Sequence, residues 1–359
     1  MSTTKSYSAD VMFQMGGPMN SDLRPIIAIT IGDAAGIGPE IALKALQSRE
    51  AYNRCRPFLI GDSNILSRYV EEFKLPLQLH VIQRVNEAEF SPGYVDLMDL
   101  KQIDMRQFQY GEGDAMTGRA MLEYTKKAVS LALDGEVHAV IGCPHTKSAV
   151  EQAGVYFDGY PSLVAALTGM KEEDVFLMLV SEQYRVVNTT LHVSLRQSLD
   201  QLKRPLIEKA IRAADAAGRM LGLPSPTIAV AGVNPHAGEG GMFGDEELEE
   251  VIPAIAGAQA SGIRAEGPYP SDTLFSEFGK YDIYVAMYHD QAHVPIKMKA
   301  FKQVSALTIG TPILFSSIGH GSAPDIAGKG IANPNGLIQT IELLSSIHIN
   351  KPERGAHQR

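Results

Sequence analysis

Short apolar runs alternate with amphipathic segments along most of the chain. The run IIAIT at 26–30 has the length of a strand, and a glycine-rich turn at 32–38 and a helix-patterned segment at 40–48 follow it. Three further pairs follow, each a helix-patterned segment and then an apolar strand. The helices lie at 117–135, 206–222 and 246–262, and the strands that follow them lie at 138–144, 226–235 and 281–290. Apolar strands that alternate with helices predict a largely parallel sheet covered on both faces, and therefore an α/β fold.

The length of the chain indicates more than one folding unit. It has 359 residues, of which 45% are hydrophobic and 20% are charged. This length exceeds what one simple core needs and suits two packed α/β subdomains. Residues 1–24 contain no continuous apolar stretch, and we interpret them as a flexible N-terminal extension. No run approaches the ~18 apolar residues of a membrane span, so we expect no membrane partner.

Charge and cysteine content limit the possible partners and the cellular compartment. The formal net charge of -9 comes without any run of lysine and arginine, so we expect no nucleic-acid partner. Cys55 and Cys143 are the only cysteines, too few for a disulfide framework and without metal or redox spacing. These features predict a cytoplasmic protein.

Three histidines follow apolar strands. His192 comes after the run at 185–191, His236 follows the segment 226–235, and His289 follows 281–288. Ligands of parallel sheets bind beyond the carboxyl ends of the strands, so the three imidazoles are expected to converge on one cleft. Such a set suits one divalent ion, zinc, cobalt, nickel or iron, with positions left open for substrate oxygens. Satisfied loop histidines are the alternative interpretation.

Two other features lie near these strand ends. Asp290 directly follows His289, where it can orient the imidazole or contact the ion, although acids at such positions also serve as helix caps. The turn at 32–38 does not follow the GxGxxG pattern, so it is either a tight structural turn or a contact to a cofactor.

The segment HGSAPDIAGKGIANP at 320–334 is too small and polar for a core. It resembles the adenosine-binding loop of the isopropylmalate dehydrogenase superfamily, whose acid at the position of Asp325 binds the adenosine ribose. A carboxylate there would repel a 2'-phosphate, so the resemblance implies NAD rather than NADP. The cofactor-binding residues it implies are His320, Gly321, Ser322, Asp325, Ile326 and Asn333.

The motifs GDAAGIGPE, NPHAGEGG, SDTLF and AMYHDQ are similar to signatures of the 4-hydroxythreonine-4-phosphate dehydrogenase family, over nearly all of residues 25–345. The family's three metal-binding histidines fall on His192, His236 and His289. The resemblance implies zinc first, with cobalt, iron, nickel, manganese or magnesium as alternatives. It also implies a homodimer in which the third histidine comes from the partner chain.

The same resemblance implies an isocitrate/isopropylmalate dehydrogenase-like fold, with two α/β/α subdomains and the active site in the cleft between them. The first subdomain is expected to comprise 25–140 plus 305–350, including the cofactor loop. The second is expected to comprise 141–304, with the metal site and the dimer interface.

This chain carries different residues at several positions that bind substrate in the family. The family's substrate-binding His-Thr pair falls on Tyr160 and Pro161, its Asn falls on Ala306 and its Arg on Phe315, whereas its lysine persists as Lys297. Loss of a guanidinium that can grip phosphate with two hydrogen bonds argues against a phosphorylated substrate and for an apolar pocket.

Segments at 143–145, 159–163, 175–180 and 305–307 resemble a second branch of the family, the terephthalate cis-dihydrodiol dehydrogenases. The resemblance implies that a small anionic substrate, a cyclohexadiene dicarboxylate, is oxidised and decarboxylated to protocatechuate, with Lys147 and Lys297 as carboxylate partners.

The base is left open between Lys147, His145 and a metal-polarised water. Alternative substrates are 4-hydroxythreonine 4-phosphate and threonate or erythronate 4-phosphate. A metal hydrolase or a noncatalytic ligand-binding protein is the alternative of another class.

Overall fold

The structure, a computed structural model, describes residues 22–181, 184–300 and 304–347. Residues 1–21 of the predicted N-terminal extension and 348–350 of the predicted first subdomain lie outside these ranges.

The strands are Ile26–Thr30 (β1), Arg56–Gly61 (β2), Gln78–Ile82 (β3), Tyr94–Asp99 (β4), Ala139–Gly142 (β5), Phe176–Val180 (β6), Arg185–Asn188 (β7), Thr227–Ala231 (β8), Arg264–Tyr269 (β9), Ile283–Ala286 (β10), Ser305–Ile309 (β11) and Phe315–Ile318 (β12).

The α-helices of the described residues lie between many of these strands and after the last one. They are Gly38–Leu46 (α1), Arg49–Arg54 (α2), Ser63–Glu72 (α3), Ala115–Leu133 (α4), Lys147–Gln152 (α5), Tyr160–Thr168 (α6), Leu195–Gln201 (α7), Arg204–Met220 (α8), Ile252–Ala260 (α9), Ser271–Leu274 (α10), His289–Ala300 (α11) and Asn335–Ser346 (α12). In the part of the chain described, none of these helices combines the length and the apolar character needed to cross a membrane.

All twelve strands belong to one sheet in the order β3-β4-β2-β1-β5-β12-β11-β6-β7-β10-β8-β9. The predicted parallel pairing is confirmed in the two outer sections. At the centre, β12 with β11, β11 with β6, and β6 with β7 are antiparallel, which the sequence analysis did not predict. Three successive reversals make the two parallel sections run in opposite directions.

Both faces of the sheet are covered, as predicted. Along β6, Leu177 and Leu179 belong to one buried apolar cluster, whereas Met178 and Val180 belong to another. Alternate side chains of a strand point to opposite faces, so the two clusters lie on the two sides of the sheet.

The predicted division into subdomains stays a prediction, but its limit after residue 140 falls inside β5. β1–β5 and β11–β12 form one side of the sheet order and β6–β10 form the other. A limit after Gly142 would keep β5 whole.

The turn between β11 and β12 allows a direct test of the hairpin that these two strands form at the centre of the sheet. Gly310 has φ of +86°, and a Cβ there would lie 2.0 Å from the backbone oxygen of Asp174, next to β6. Gly222 has the same φ of +86° but no atom within 4 Å of its Cβ position. We expect Gly310→Ala to lower the free energy of unfolding by about 2 kcal/mol more than Gly222→Ala, because only the former adds a clash to the backbone strain. Urea unfolding of both variants measures the difference, and equal losses would contradict the tight packing at this turn.

Candidate active site

His192 and His289 lie together because the strands before them are neighbours. β7 and β10 pair in parallel, with Val187 opposite Val285, so their carboxyl ends share one edge. The loop after β7 carries His192, and His289 begins α11 after β10. The centroids of the two imidazole rings are 5.7 Å apart.

The local surroundings keep both rings suited to bind a metal. His289 Nδ1 lies 2.7 Å from a carboxylate oxygen of Asp290, which fixes the ring and leaves Nε2 for a ligand. Burial, together with the charge of Lys147, lowers the pKa of His192 to about 4. His192 is therefore neutral near pH 7, which is the state that coordinates metals.

His236 does not join this pair within one chain. Its side chain is 67% exposed and lies 3.6 Å from Glu239. Among residues 22–181, 184–300 and 304–347, no group of three histidine, cysteine, aspartate or glutamate side chains is placed to hold one ion. The three histidines are therefore not seen to converge within the described part of one chain, the segment that carries His236 adopts left-handed backbone conformations, and the assignment of all three as metal ligands stays a prediction.

The start of helix α6 contacts residues from both of the oppositely running sections of the sheet. The ring of Tyr160 lies 4.8 Å from the ring of His145, which follows β5. A Cβ on the preceding Gly159 would lie only 3.3 Å from His192 Cε1. The start of α6 thus lies between residues that follow β5 and residues that follow β7.

The two predicted bases lie near His192. His145 Nδ1 is buried without a hydrogen-bond partner in the described part of the chain. Burial, followed by the charges of Lys147 and His192, lowers the pKa of His145 to about 4. Lys147 is exposed at the first position of α5, close enough for its charge to act on both imidazoles.

Three of the predicted substrate residues are buried. Tyr160 and Phe315 are 1% and 0% exposed, and Ala306 is 6% exposed. The Tyr160 hydroxyl donates to the backbone oxygen of Cys143 at 2.6 Å, and its ring lies 5.1 Å from that of Phe315. These buried side chains pack against one another in this chain, and their contact with substrate in an apolar pocket stays a prediction. Lys297 is half-buried on α11.

His293 is a site residue that the sequence analysis missed. Its ring stacks on that of His289 at 3.8 Å, with planes 16° apart. Burial, followed by the charges of His289 and Lys297, lowers its pKa to about 3. The spacing of four residues from His289, which places two side chains on one helical face, was the available signal.

Two cavities adjoin the imidazoles. One of about 730 Å³ is lined by parts of β6 and β7, by Asp158 and Ser162 near the start of α6, and by His192. Another of about 310 Å³ is lined by His192, His289 and Asp290 together with residues of α7. Both volumes fall within the ~300–1,000 Å³ of small-molecule sites.

Four of the six predicted cofactor residues surround a third cavity of about 430 Å³, which also contacts Ile37 and the start of α12. These are His320, Gly321, Ile326 and Asn333. Ser322 is buried instead, with its hydroxyl 2.8 Å from that of Thr146. Asp325 is exposed on the loop.

The glycine-rich turn and α1 hold the cofactor loop in place. Ile37 N–H donates to the backbone oxygen of Ser322 at 2.9 Å. The buried Glu40 carboxylate accepts from Ala332 N–H at 2.8 Å, and Lys44 binds both Glu40 and the loop carbonyls of Gly330 and Ala332. The turn at 32–38 therefore packs against the loop as a structural element.

Residues 53–344 match the family described as pyridoxal phosphate biosynthetic protein PdxA. A Symbiobacterium thermophilum protein with the provisional name D-threonate 4-phosphate dehydrogenase is 42% identical over 324 residues, 90% of this chain and 96% of that relative. The match confirms the resemblance seen in the motifs.

Two solved structures are also similar. A 4-hydroxythreonine-4-phosphate dehydrogenase from Klebsiella pneumoniae has a TM-score of 0.81 at 40% identity, with 89% of this chain and 98% of that chain covered. A terephthalate 1,2-cis-dihydrodiol dehydrogenase from Burkholderia xenovorans has a TM-score of 0.64 at 37% identity, with 90% and 98% covered. Fold and relatives together define an oxidoreductase of the dehydrogenase class and confirm the α/β fold. The chain belongs to the PdxA family.

The half-buried His145, whose Nδ1 is buried, predicts how stability depends on pH. Its pKa is about 4 in the folded chain against an ordinary value of 6.5, so between these pH values the unfolded chain binds more protons. The free energy of unfolding should therefore fall as pH falls from 6.5 towards 4. In metal-free protein, we expect His145→Gln to reduce this slope by up to about 1.4 kcal/mol per pH unit. Urea unfolding at several pH values measures both slopes, and identical slopes would contradict the lowered pKa of His145.

Proposed function

We propose that this chain is a metal-dependent, NAD-linked dehydrogenase that oxidises a secondary hydroxyl of a small anionic substrate. The observation that carries the proposal is the pair of imidazoles, His192 and His289, whose ring centroids are 5.7 Å apart, with Lys147 acting on His192 and Lys297 acting on the neighbouring His293. The dehydrogenase names of the relatives support it.

The proposed metal site consists of His192 and His289 of one subunit and His236 of the partner subunit. Neutral imidazoles are the donors that zinc prefers, and zinc is our first assignment. A bound divalent ion would supply Lewis acidity that lowers the pKa of the substrate hydroxyl. Asp290 would fix the orientation of His289, as a carboxylate commonly does for a histidine ligand.

A homodimer would complete this set. His236 is exposed, and the following segment exposes Met242 by 72%, Phe243 by 48% and Leu248 by 47%. Clustered exposed apolar side chains are typical of protein interfaces. The exposed His236 lies next to this segment, which supports a role for its imidazole in the metal site of the partner subunit.

The chain's own residues would move the proton and hold the substrate. His145 is neutral near pH 7 and has a free buried Nδ1, so it can accept the hydroxyl proton, and Lys147 remains the alternative base. Lys297 on α11 would pair with an anionic group of the substrate. NAD would accept the hydride from the carbinol carbon, with its adenosine in the cavity beside His320 and the Asp325 carboxylate excluding a 2'-phosphate.

The first candidate substrate is a four-carbon acid phosphorylated at C4, of the hydroxythreonine or threonate type. The relatives named above favour it. Lys147 and Lys297 offer point charges to phosphate and carboxylate, although neither provides the fork of a guanidinium.

The second candidate is the terephthalate dihydrodiol. The packed pair Tyr160 and Phe315 favours it, because it fills the position where a phosphate-binding arginine is expected. Oxidation of this diol gives a ketone beta to a carboxylate, which loses carbon dioxide as the ring becomes aromatic. The Burkholderia xenovorans structure supports this alternative at 37% identity.

The test compares NADH formation by zinc-loaded protein from D-threonate 4-phosphate, 4-phosphohydroxythreonine and the terephthalate dihydrodiol in parallel. We expect turnover of the phosphates, and a loss of at least about 100-fold in His192→Ala because a metal ligand is removed. His80→Gln, on edge strand β3 far along the sheet, is the matched histidine control and should retain activity. Turnover of the dihydrodiol alone would select the second candidate, and no turnover of any substrate would make the proposal wrong.

A further inference from the structure

The His236 loop, residues 232–239, has a backbone conformation that needs support. His236, Ala237 and Glu239 have φ of +56°, +52° and +43°, in the left-handed region that residues other than glycine rarely adopt. Such conformations are unfavourable by themselves and persist only where surrounding contacts enforce them. The loop therefore requires a contact that holds it in this shape.

Glu247 supplies this contact. It is 2% exposed and begins a π-helical turn, a rare conformation that is frequent at functional sites. One carboxylate oxygen accepts from Val233 N–H at 2.6 Å and from Asn234 N–H at 2.7 Å, and the other accepts from the Asn234 side-chain amide at 2.9 Å. A Cβ on Gly238 would lie 2.7 Å from this second oxygen. The loop thus closes around the carboxylate both before and after His236.

The carboxylate of Glu247 is more than interior filling. A buried carboxylate destabilises the fold unless hydrogen bonds compensate for the loss of water. The hydrogen bonds that Glu247 accepts come from Val233 and Asn234, directly before the left-handed segment. An apolar side chain would fill the space but leave these N–H groups unpaired.

The base of the loop is held separately. Gly232, directly after β8, donates its N–H to the backbone oxygen of Tyr269 at 2.8 Å, and its carbonyl accepts from Gln291 Nε2 at 2.7 Å. Tyr269 ends β9 and Gln291 lies on α11. Loss of the Glu247 carboxylate should therefore release the part of the loop that carries His236, while β8 and its neighbours keep their positions.

We propose that Glu247 is a positioning residue that fixes His236 in the orientation in which it reaches the metal site of the partner subunit. It acts through the backbone of the His236 loop rather than by contact with the metal. This inference rests on the proposed shared metal site and adds the residue on which its third ligand depends.

The dissociation constant for zinc, measured by competition with a chelator, gives the first test. We expect Glu247→Ala to raise this constant by at least about tenfold, because the loop relaxes and His236 loses its orientation. Glu247→Gln keeps an oxygen for the two backbone N–H groups but turns an amide nitrogen towards the Asn234 amide, so we expect a rise of about threefold. Equal constants in the wild type and both variants would overturn the inference.

Glu250 provides the matched control. It belongs to the same π-helical turn, and its carboxylate accepts from Arg204 N–H at 2.6 Å and pairs with Lys203 at 3.1 Å. These contacts hold the start of α8 instead of the His236 loop. Glu250→Ala should leave the dissociation constant for zinc unchanged, even where it lowers the Tm of the metal-free protein. An equal loss of zinc affinity in this control would mean a general loss of stability and would overturn the inference.

Mixed dimers show which site Glu247 serves. Glu247→Ala subunits are combined with His289→Ala or with His236→Ala subunits, at a free zinc concentration that saturates the wild type but not Glu247→Ala. The first mixed dimer retains a site made of His192 and His289 from the Glu247→Ala subunit and an undisturbed His236 from the other, so about one zinc per dimer is expected. The second mixed dimer has no undisturbed His236, so almost no zinc is expected.

Zinc in the second mixed dimer, or its absence from the first, would overturn the inference, because Glu247 would then not act through its own His236. If Glu247→Ala does not fold, Glu247→Gln takes its place in both mixtures, with the free zinc concentration adjusted to its affinity. Absence of zinc from the wild type, or from dimers of His236→Ala with His289→Ala subunits, would instead overturn the proposed shared metal site itself.

Discussion

The antiparallel pairing at the centre of the sheet is the constraint on which the site depends. β11 hydrogen-bonds to β6 on one side and to β12 on the other, and β12 continues into the parallel strands of the first section. Because the direction of the chain reverses here, the parallel sections on either side run opposite ways. Residues after β5 and residues after β7 then do not line one common edge, and it is the start of α6 that contacts both groups. This helix brings the proposed base close to the proposed metal ligand.

A second constraint fixes the cofactor loop. The loop at 320–334 has no regular secondary structure, so its backbone groups need partners from elsewhere. Glu40 and Lys44, one turn apart on α1, bind Ala332 N–H and the carbonyls of Gly330 and Ala332. A carboxylate with 1% exposure is tolerated because Lys44 and a backbone donor compensate its charge. The fixed loop leaves the 430 Å³ cavity open beside it.

Local sequence patterns predicted the features that depend on a few adjacent residues. The strand at 26–30, the start of α1 near Pro39 and the positions of the histidines after β7, β8 and β10 were all readable, because strand length and helix signals are local. The antiparallel centre was not, because β6 and β11 are far apart in sequence and pair only in the folded chain, and the sequence analysis did not recognise the consecutive strands β11 and β12 as a hairpin. The burial of Tyr160 and Phe315 was not predicted either. An aromatic residue at a family binding position can line a pocket or pack in the layer beneath it, and the sequence does not distinguish the two. His293 was missed because its two unpartnered nitrogens are visible only once the surrounding helices are in place.

The central claim is that two subunits together hold the metal. Its most direct test mixes His236→Ala subunits with His289→Ala subunits after each variant has been shown to lack zinc and activity. Random exchange makes half of the dimers mixed, and each mixed dimer has one intact site, so roughly a quarter of the wild-type activity and zinc should return. Recovery at that level is the predicted result. Failure to recover either property in verified mixed dimers would contradict a site shared between subunits.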